Sequence, residues 1–500
     1  MSTTSVTGEA NAASWENEQY SNAQPAVRRM RISVAGEQAV KNERETFLPH
    51  PCNDPTEQKT TEQTERYDSY ITFAEYDNIP GNTLETLIGS MFRIKPTVEA
   101  PSLPNIIEDA DGNGMSLQES IELTASECLQ MRYFGLLAEY SDLAGRDPTE
   151  ITEQQRRDEG LRATIKHYTR EAIVNWSYAV INGVKQLNMV ILREENVESF
   201  DPTQISKSGV TLCYTRSYLI LGLEKLENGN YVYFQQRYID SGKEGSTGEM
   251  TERFYPQANG APLESIPFEM VFSTRRKVGD VPKQLGYLDP ISAKAIHRYQ
   301  ASALLKEALR ITAQPTSYSK GWSANSFKLY KEATGRDQIN LGSNSHIPLF
   351  GEAEFGYADW NADSNALFKY REENKNEIVA LGGVFDELGE MAETATAAAI
   401  NSAEKKGVLA TLAKNIEESY LRVLGWVAQF EGTDSNGVVI ELSREFTAAR
   451  ITAADRAAIL NEYREALISR EEALQQLKRG GVLVGEIDQL LDAVENSPLI

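Results

Sequence analysis

The residues with the most chemical promise are Asp109-Ala110-Asp111-Gly112-Asn113-Gly114. Carboxylates and an amide at alternate positions around a glycine imitate the start of a calcium loop, where oxygens surround a hard cation. That chemistry also needs a bidentate Glu at the twelfth position. Ser120 stands there, and Glu119 comes one residue early. Position eight, usually aliphatic, is Ser116. A tight turn fits better, with Ser116 as the N-cap of a helix and Glu119 three residues on completing a capping box.

Other reactive residue types are scattered. His50, His167, His297 and His346 have no ligand-like spacing, and neither have Cys52, Cys128 and Cys213. Three distant cysteines without a CxxC speak against a disulfide framework and fit a reducing compartment. Gly242-Lys243 runs into Glu244, so a phosphate-cradling loop is absent. There is no HExxH, no GxSxG elbow, and no pairing of acids that marks two-metal nuclease chemistry. The sequence reads as a non-enzyme with no catalytic residue, no metal and no cofactor.

One stretch stands out for charge and flexibility. Gly382, Gly383 and Gly389 punctuate a segment holding Val384, Phe385, Asp386, Glu387, Glu390 and Glu393. The glycines relax the backbone, and the acids have no basic counterpart. This predicts a mobile acidic loop, 382–393, between two helices. The alternative is a buried connector with Val384, Phe385, Leu388 and Met391 inside. A helix, a mobile acidic loop and a longer helix suggest a scaffold that moves against something polyanionic.

The elements around it follow from periodicity. Leu409, Leu412, Ile416, Tyr420, Val423, Val427 and Phe430 are spaced by threes and fours, one face of a long helix over 394–430. A charged helix over 363–381 precedes the loop. Asp289-Pro290 opens an earlier helix as N-cap and N1, with Ile296, Tyr299 and Ala303 on one face and Pro315 beyond its end. Between these helices lies a short, turn-rich insert over 316–360, with Trp322, Phe327, Leu329 and Tyr330.

Upstream, 1–45 is polar and reads as a flexible arm. Helices are expected from Phe47, including one from Leu161 to Val180. Met189–Leu192, Thr211–Leu223, Tyr231–Phe234 and Ile266–Phe272 read as strands, with Asn228-Gly229 as a hairpin turn. The expected fold is mainly α with a small antiparallel β region, an α+β chain.

Composition bounds the partners. The 500 residues can bury a sizeable core, and their net charge is −23. Such a chain does not grip nucleic acid through an overall basic surface. It could surround nucleic acid that must slide, or the charge could simply keep it soluble. No run of about eighteen apolar residues predicts a membrane helix. The polar N-terminus predicts no signal peptide.

The order of several stretches resembles one family. Phe47-Leu48-Pro49, Asn82-Thr83-Leu84 and Gly89 to Pro96 are like its "T…G…FR…P". Asp111 to Leu117 is similar to its "DGxGxSL", and Glu171 to Trp176 to its "E.I.NW". Ile266-Pro267-Phe268, the helix from Ala293 to Pro315, and Glu393-Thr394-Ala395 match its "IPF", its helix ending in proline and its "ETA". Tyr133 to Tyr140 departs from the family's "Gr.g.LVD". From Phe47 onward the chain resembles portal proteins of tailed bacteriophages, in a group long catalogued only as a domain of unknown function.

The resemblance implies a ring of about twelve subunits at one capsid vertex, a head-to-tail connector for DNA packaging and ejection. It implies a wing (46–285), two stem helices (286–312 and 361–381), a clip (313–360), a tunnel loop (382–393), a long helix returning to the wing (394–450) and a crown (451–500). Partners would be other copies, double-stranded DNA in the channel, the terminase large subunit, tail adaptors, the major capsid protein and a scaffold, with no membrane. The protein would sit in the virion after assembly in the host cytoplasm. Trp322, Lys328, Tyr330, Lys331 and Arg336 would lie at the exposed end of the clip. The aromatics could equally pack the insert's core. The rival readings are another ring or minor capsid protein of a virion, and a nucleic-acid-processing enzyme.

Overall fold

The computed structural model describes residues 16–51, 60–140, 160–197, 214–239, 248–275, 278–313, 317–337, 347–357, 364–383, 395–446 and 453–465, with 155, 468–469, 472–474 and 477. In order, the chain forms α1 (Glu18–Ala35), α2 (Glu37–Asn42), α3 (Thr61–Phe73), α4 (Ile79–Met91), β1 (Thr97–Glu99), α5 (Pro104–Glu108) and α6 (Leu117–Met131). A run of strands follows: β2 (Tyr133–Tyr140), β3 (Ala163–Tyr168), β4 (Ile173–Ile181), β5 (Val184–Val197), β6 (Tyr214–Lys225), β7 (Tyr231–Ile239), β8 (Glu249–Met250), β9 (Gln257–Ala258), β10 (Ala261–Pro262) and β11 (Phe268–Phe272). The last part holds α7 (Asp289–Ala313), β12 (Ser317–Lys320), α8 (Ala324–Thr334), β13 (Glu354–Tyr357), α9 (Ser364–Ala380), α10 (Ala395–Glu431), β14 (Val439–Glu441) and α11 (Ala453–Arg464). Helices mix with sheets whose described ladders are antiparallel, which makes this an α+β chain.

Two compact units divide the chain. The first takes Met1–Val27, Leu84–Tyr287 and Ala398–Ile500, and the second Arg28–Thr83 and Leu288–Ala397. In the first, a three-stranded sheet ordered β11-β2-β3 lies beside a five-stranded meander, β4-β5-β6-β7-β8. Asn182 and Gly183, both at positive φ, make the two-residue turn from β4 to β5. Tyr20, Val174, Ile191, Tyr218 and Tyr238 form the core on the meander. On β2, Gly135 is required by close packing, because a Cβ there would lie 2.6 Å from the Phe268 ring.

The long α10 dominates the first unit. Leu409, Leu412, Ile416, Tyr420, Val423 and Val427 are all buried, as their spacing predicts. Polar contacts on its flanks complete the fit. Asn415 donates at 2.7 Å to the carbonyls of both Phe272 and Thr274, and Arg422 pairs with buried Glu269 at 2.8 Å. In the second unit, Ala295, Ile296, Tyr299 and Ala303 of α7 pack on Tyr67, Tyr70, Ile71 and Tyr76. Arg298 pairs with Asp77 at 2.6 Å and donates to the Arg371 carbonyl on α9 at 3.1 Å.

Three expectations are corrected. Leu161 to Val180 is not a helix but β3, a turn and most of β4. Tyr168, Ile173, Trp176 and Val180 mimic a helical period, yet the segment is rich in β-branched and aromatic residues and ends at an Asn-Gly turn. Residues 18–42 are helical rather than a flexible arm, and bury Tyr20, Val27, Met30 and Val40. Their few apolar side chains sit in a polar stretch, so composition hid them. The β component is also larger than a small region, with β5 alone running 14 residues.

Candidate functional site

The calcium-like loop spends its oxygens internally. Asp109 Oδ1 accepts from the Gly112 and Gly114 amides at 2.8 and 3.0 Å, and Arg162 pairs with Oδ2. Arg162 also donates to the Asp109 carbonyl at 2.8 Å. A guanidinium thus takes the place a cation would fill. Burial pushes the Asp111 carboxyl up, but hydrogen bonds from Asn113 and Met115 outweigh it and hold the group below the usual carboxylate range. The expected capping box is present: the Ser116 hydroxyl accepts from the Glu119 amide at 3.2 Å, and the Glu119 carboxylate accepts from the Ser116 amide at 2.8 Å. Among the described residues, no three His, Cys, Asp or Glu side chains are arranged to hold a metal ion.

One polar cluster escaped the sequence reading. Ser120 of α6 lies 2.6 Å from His167 Nε2 on β3 and 2.6 Å from the Tyr420 hydroxyl on α10. Thr124 is 2.8 Å from the same hydroxyl. With Asp111 acting electrostatically on His167, this looks like a serine nucleophile with its base. Burial argues against that. Thr124 Oγ1 is also placed to donate to the Ser120 carbonyl at 2.9 Å. Either hydroxyl can be the donor in the Ser120–Tyr420 and Thr124–Tyr420 pairs. Ser120, 0% exposed, is closed to a substrate. The one hint in the sequence is Tyr420, the only polar tip in an aliphatic seam, which must find a partner once buried.

The glycines opening the acidic segment do structural work. Gly382, at φ +85°, donates to the Val379 carbonyl at 2.8 Å, and Gly383 donates to Ile378 at 2.9 Å. That pair of bonds is a Schellman cap closing α9. A Cβ on Gly383 would meet Ile378 Cγ2 at 2.5 Å and Ile79 Cγ2 at 3.1 Å. So these two residues stop a helix in a defined geometry rather than relax the chain. Val384, Phe385, Asp386, Glu387, Glu390 and Glu393 lie outside the described residues.

The insert builds its own small core. β12 and β13 pair from Ser317↔Tyr357 to Lys320↔Glu354. Ser323 caps α8 through the Ser326 amide, and Gly335 ends it in the left-handed conformation. The rings of Trp322, Phe327 and Tyr330 lie 5.6 to 6.2 Å apart. Tyr330 is 2% exposed and Trp322 half-buried. Tyr330 is thus a core residue rather than a contact at the exposed end, its ring packed against Trp322 and Phe327. Lys328, Lys331 and Arg336 are exposed, with Lys331 paired to Asp337 and Lys328 3.9 Å from Glu332. Tyr318, Leu329 and Tyr357 of the insert also expose apolar surface.

The fold therefore defines an α+β chain with a helix, a small insert, a second helix and a much longer one in succession. A family described as "Domain of unknown function (DUF4055)" matches residues 291–431, 141 of the 500, which runs from α7 to the end of α10. No curated protein matches the chain. Among solved structures, a chain of the "Virion of native gene transfer agent (GTA) particle" is similar at 12% identity and TM-score 0.37, over 92% of this chain and 98% of that one. A chain of the "Neck of native GTA particle computed with C12 symmetry" is similar at 10% identity and TM-score 0.38, over 80% and 89%. At these TM-scores neither likeness defines the fold or the function of this chain. No described helix is long and apolar enough to cross a membrane.

Proposed function

We propose that the chain is a virion structural protein, a portal-type subunit that forms a closed ring around a DNA channel at a capsid vertex. The order α7, insert, α9, 382–394 and the 37-residue α10 carries this reading. Helices of this kind suit a ring wall, since about 37 residues at roughly 1.5 Å each span about 55 Å. In this assignment α7 and α9 are the stem, and the insert is the clip. Lys328, Lys331 and Arg336 on the clip contact the packaging motor or the tail adaptor. The segment 382–393 is the tunnel loop, its Asp386, Glu387, Glu390 and Glu393 repeated as a negative collar. Acidic side chains repel phosphate, so DNA slides past without salt-locked binding.

Native mass spectrometry of the full chain tests the assignment. The expected species is a single cyclic oligomer of about twelve copies with heterologous contacts. A monomer across a wide concentration range would refute it.

A further inference from the structure

Five Asn-Gly pairs stand in the chain: Asn113-Gly114, Asn182-Gly183, Asn228-Gly229, Asn259-Gly260 and Asn436-Gly437. The portal assignment uses none of them. Glycine has no Cβ to hinder its amide nitrogen, so such a pair is where an asparagine can lose its side-chain amide by ring closure. Every residue of the five pairs is exposed, so exposure does not rank them. Hydrogen bonding does. We propose that Asn182 and Asn259, at the tips of two hairpins, are sites of spontaneous deamidation, and that the fold protects Asn113 and Asn228.

The reaction needs a free nucleophile and a free side chain. The glycine nitrogen gives its proton to hydroxide and attacks the asparagine Cγ. The N–Cγ bond forms, the Cγ–Nδ2 bond breaks, and ammonia leaves with a proton from water. Water then opens the cyclic imide at either carbonyl, giving aspartate or an isoaspartyl linkage. No oxidant or reductant takes part.

In the protected pairs both groups are held. The Gly114 amide donates to Asp109 Oδ1 at 3.0 Å, and Asn113 Nδ2 donates to Asp111 Oδ2 at 3.3 Å. The Gly229 amide donates to the Leu226 carbonyl at 2.9 Å, and Asn228 Oδ1 accepts from the Asn230 amide at 3.0 Å. The two tips differ. Asn182 and Gly183 lie between the paired residues Ile181 and Val184, and Asn259 and Gly260 between Ala258 and Ala261. Among the described residues, neither of these asparagine side chains and neither glycine amide makes a hydrogen bond. Asn436 is intermediate, with Nδ2 bound to Asp434 and no bond from the Gly437 amide among the described residues. Each conversion adds a negative charge. At Asn182 that charge falls between Val180 and Val184, 69% and 63% exposed. An isoaspartyl linkage also lengthens the main chain by a methylene inside the tight turn that sets the β4–β5 register.

Peptide mapping of the full chain, aged at mildly alkaline pH, tests the proposal. Each hydrogen bond that must first break slows ring closure by about 2–12-fold, the rate factor for the net worth of such a bond. With both groups held at Asn113 and Asn228, Asn182 and Asn259 should each convert at least about fourfold faster than either. Asn436 should fall between. The same chain aged in denaturant is the control, and there the five should converge. Equal conversion across the five in the folded chain overturns the proposal. So does a lead by any of the other three, or a spread that persists in denaturant.

Discussion

α10 and α9 are consecutive helices with opposite fates. From Leu409 onward, α10 buries a continuous apolar seam and satisfies its polar flanks within its own unit. Among the described side chains of α9 only Asn374 and Ile378 are buried, while Phe368 is 49% and Tyr370 46% exposed. α7 shows both behaviours, with Ile296 and Tyr299 in the core and Leu304 and Leu309 exposed. Exposed large side chains on the insert repeat the pattern. Among its described residues α10 exposes one large apolar side chain, Leu421 at 42%, whereas α9 leaves most of its surface for something else to cover. In the portal assignment, that something is the next copy around the ring.

The comparison breaks first at the seam. Ile416→Ala or Leu412→Ala removes a fully buried branched side chain and should cost about 2–5 kcal/mol in denaturant unfolding of the first unit. A cost under about 1 kcal/mol would mean that the seam is not a close-packed core.

A smaller effect is expected where α9 ends. Gly382→Ala forces a side chain into φ +85° and should destabilise by about 1–2 kcal/mol. Gly383→Ala adds the contact with Ile378, and should cost at least as much. Thermal unfolding distinguishes a cap from a slack linker, since a slack linker would tolerate alanine or gain from it.

The smallest effect on the isolated chain sharpens the comparison most. Phe368→Ser and Tyr370→Ser should change monomer stability by no more than about 0.5 kcal/mol. They should nevertheless reduce the ring population in native mass spectra. If stability falls as steeply as for Ile416→Ala, α9 is a core helix and its exposed face has no assembly role.

Much of this was legible in one dimension. A helix carries its burial pattern in the spacing of its apolar residues, so the seam from Leu409 to Val427 and the α7 face at Ile296, Tyr299 and Ala303 could be read directly. Caps are equally local: Ser116 with Glu119 appears as spaced. The strands β5, β6, β7 and β11 were visible as β-rich runs.

Other features needed three dimensions. β3 and β4 were misread because four large residues at helical spacing are ambiguous, and cross-strand pairing rather than period decides between helix and strand. Residues 18–42 carry too little apolar surface to announce a core, and they order because partners from distant segments cover what they have. Arg162 closes the acidic loop from 53 residues away. The Ser120–His167–Tyr420 chain joins residues separated by up to 300 positions, so no local spacing encodes it. Sequence alone determined the helical faces, the caps and the acidic character of the chain, because each depends on neighbours within a few residues. Tertiary structure alone decided which polar groups meet, because hydrogen bonds are satisfied by whatever the fold brings within about 3 Å.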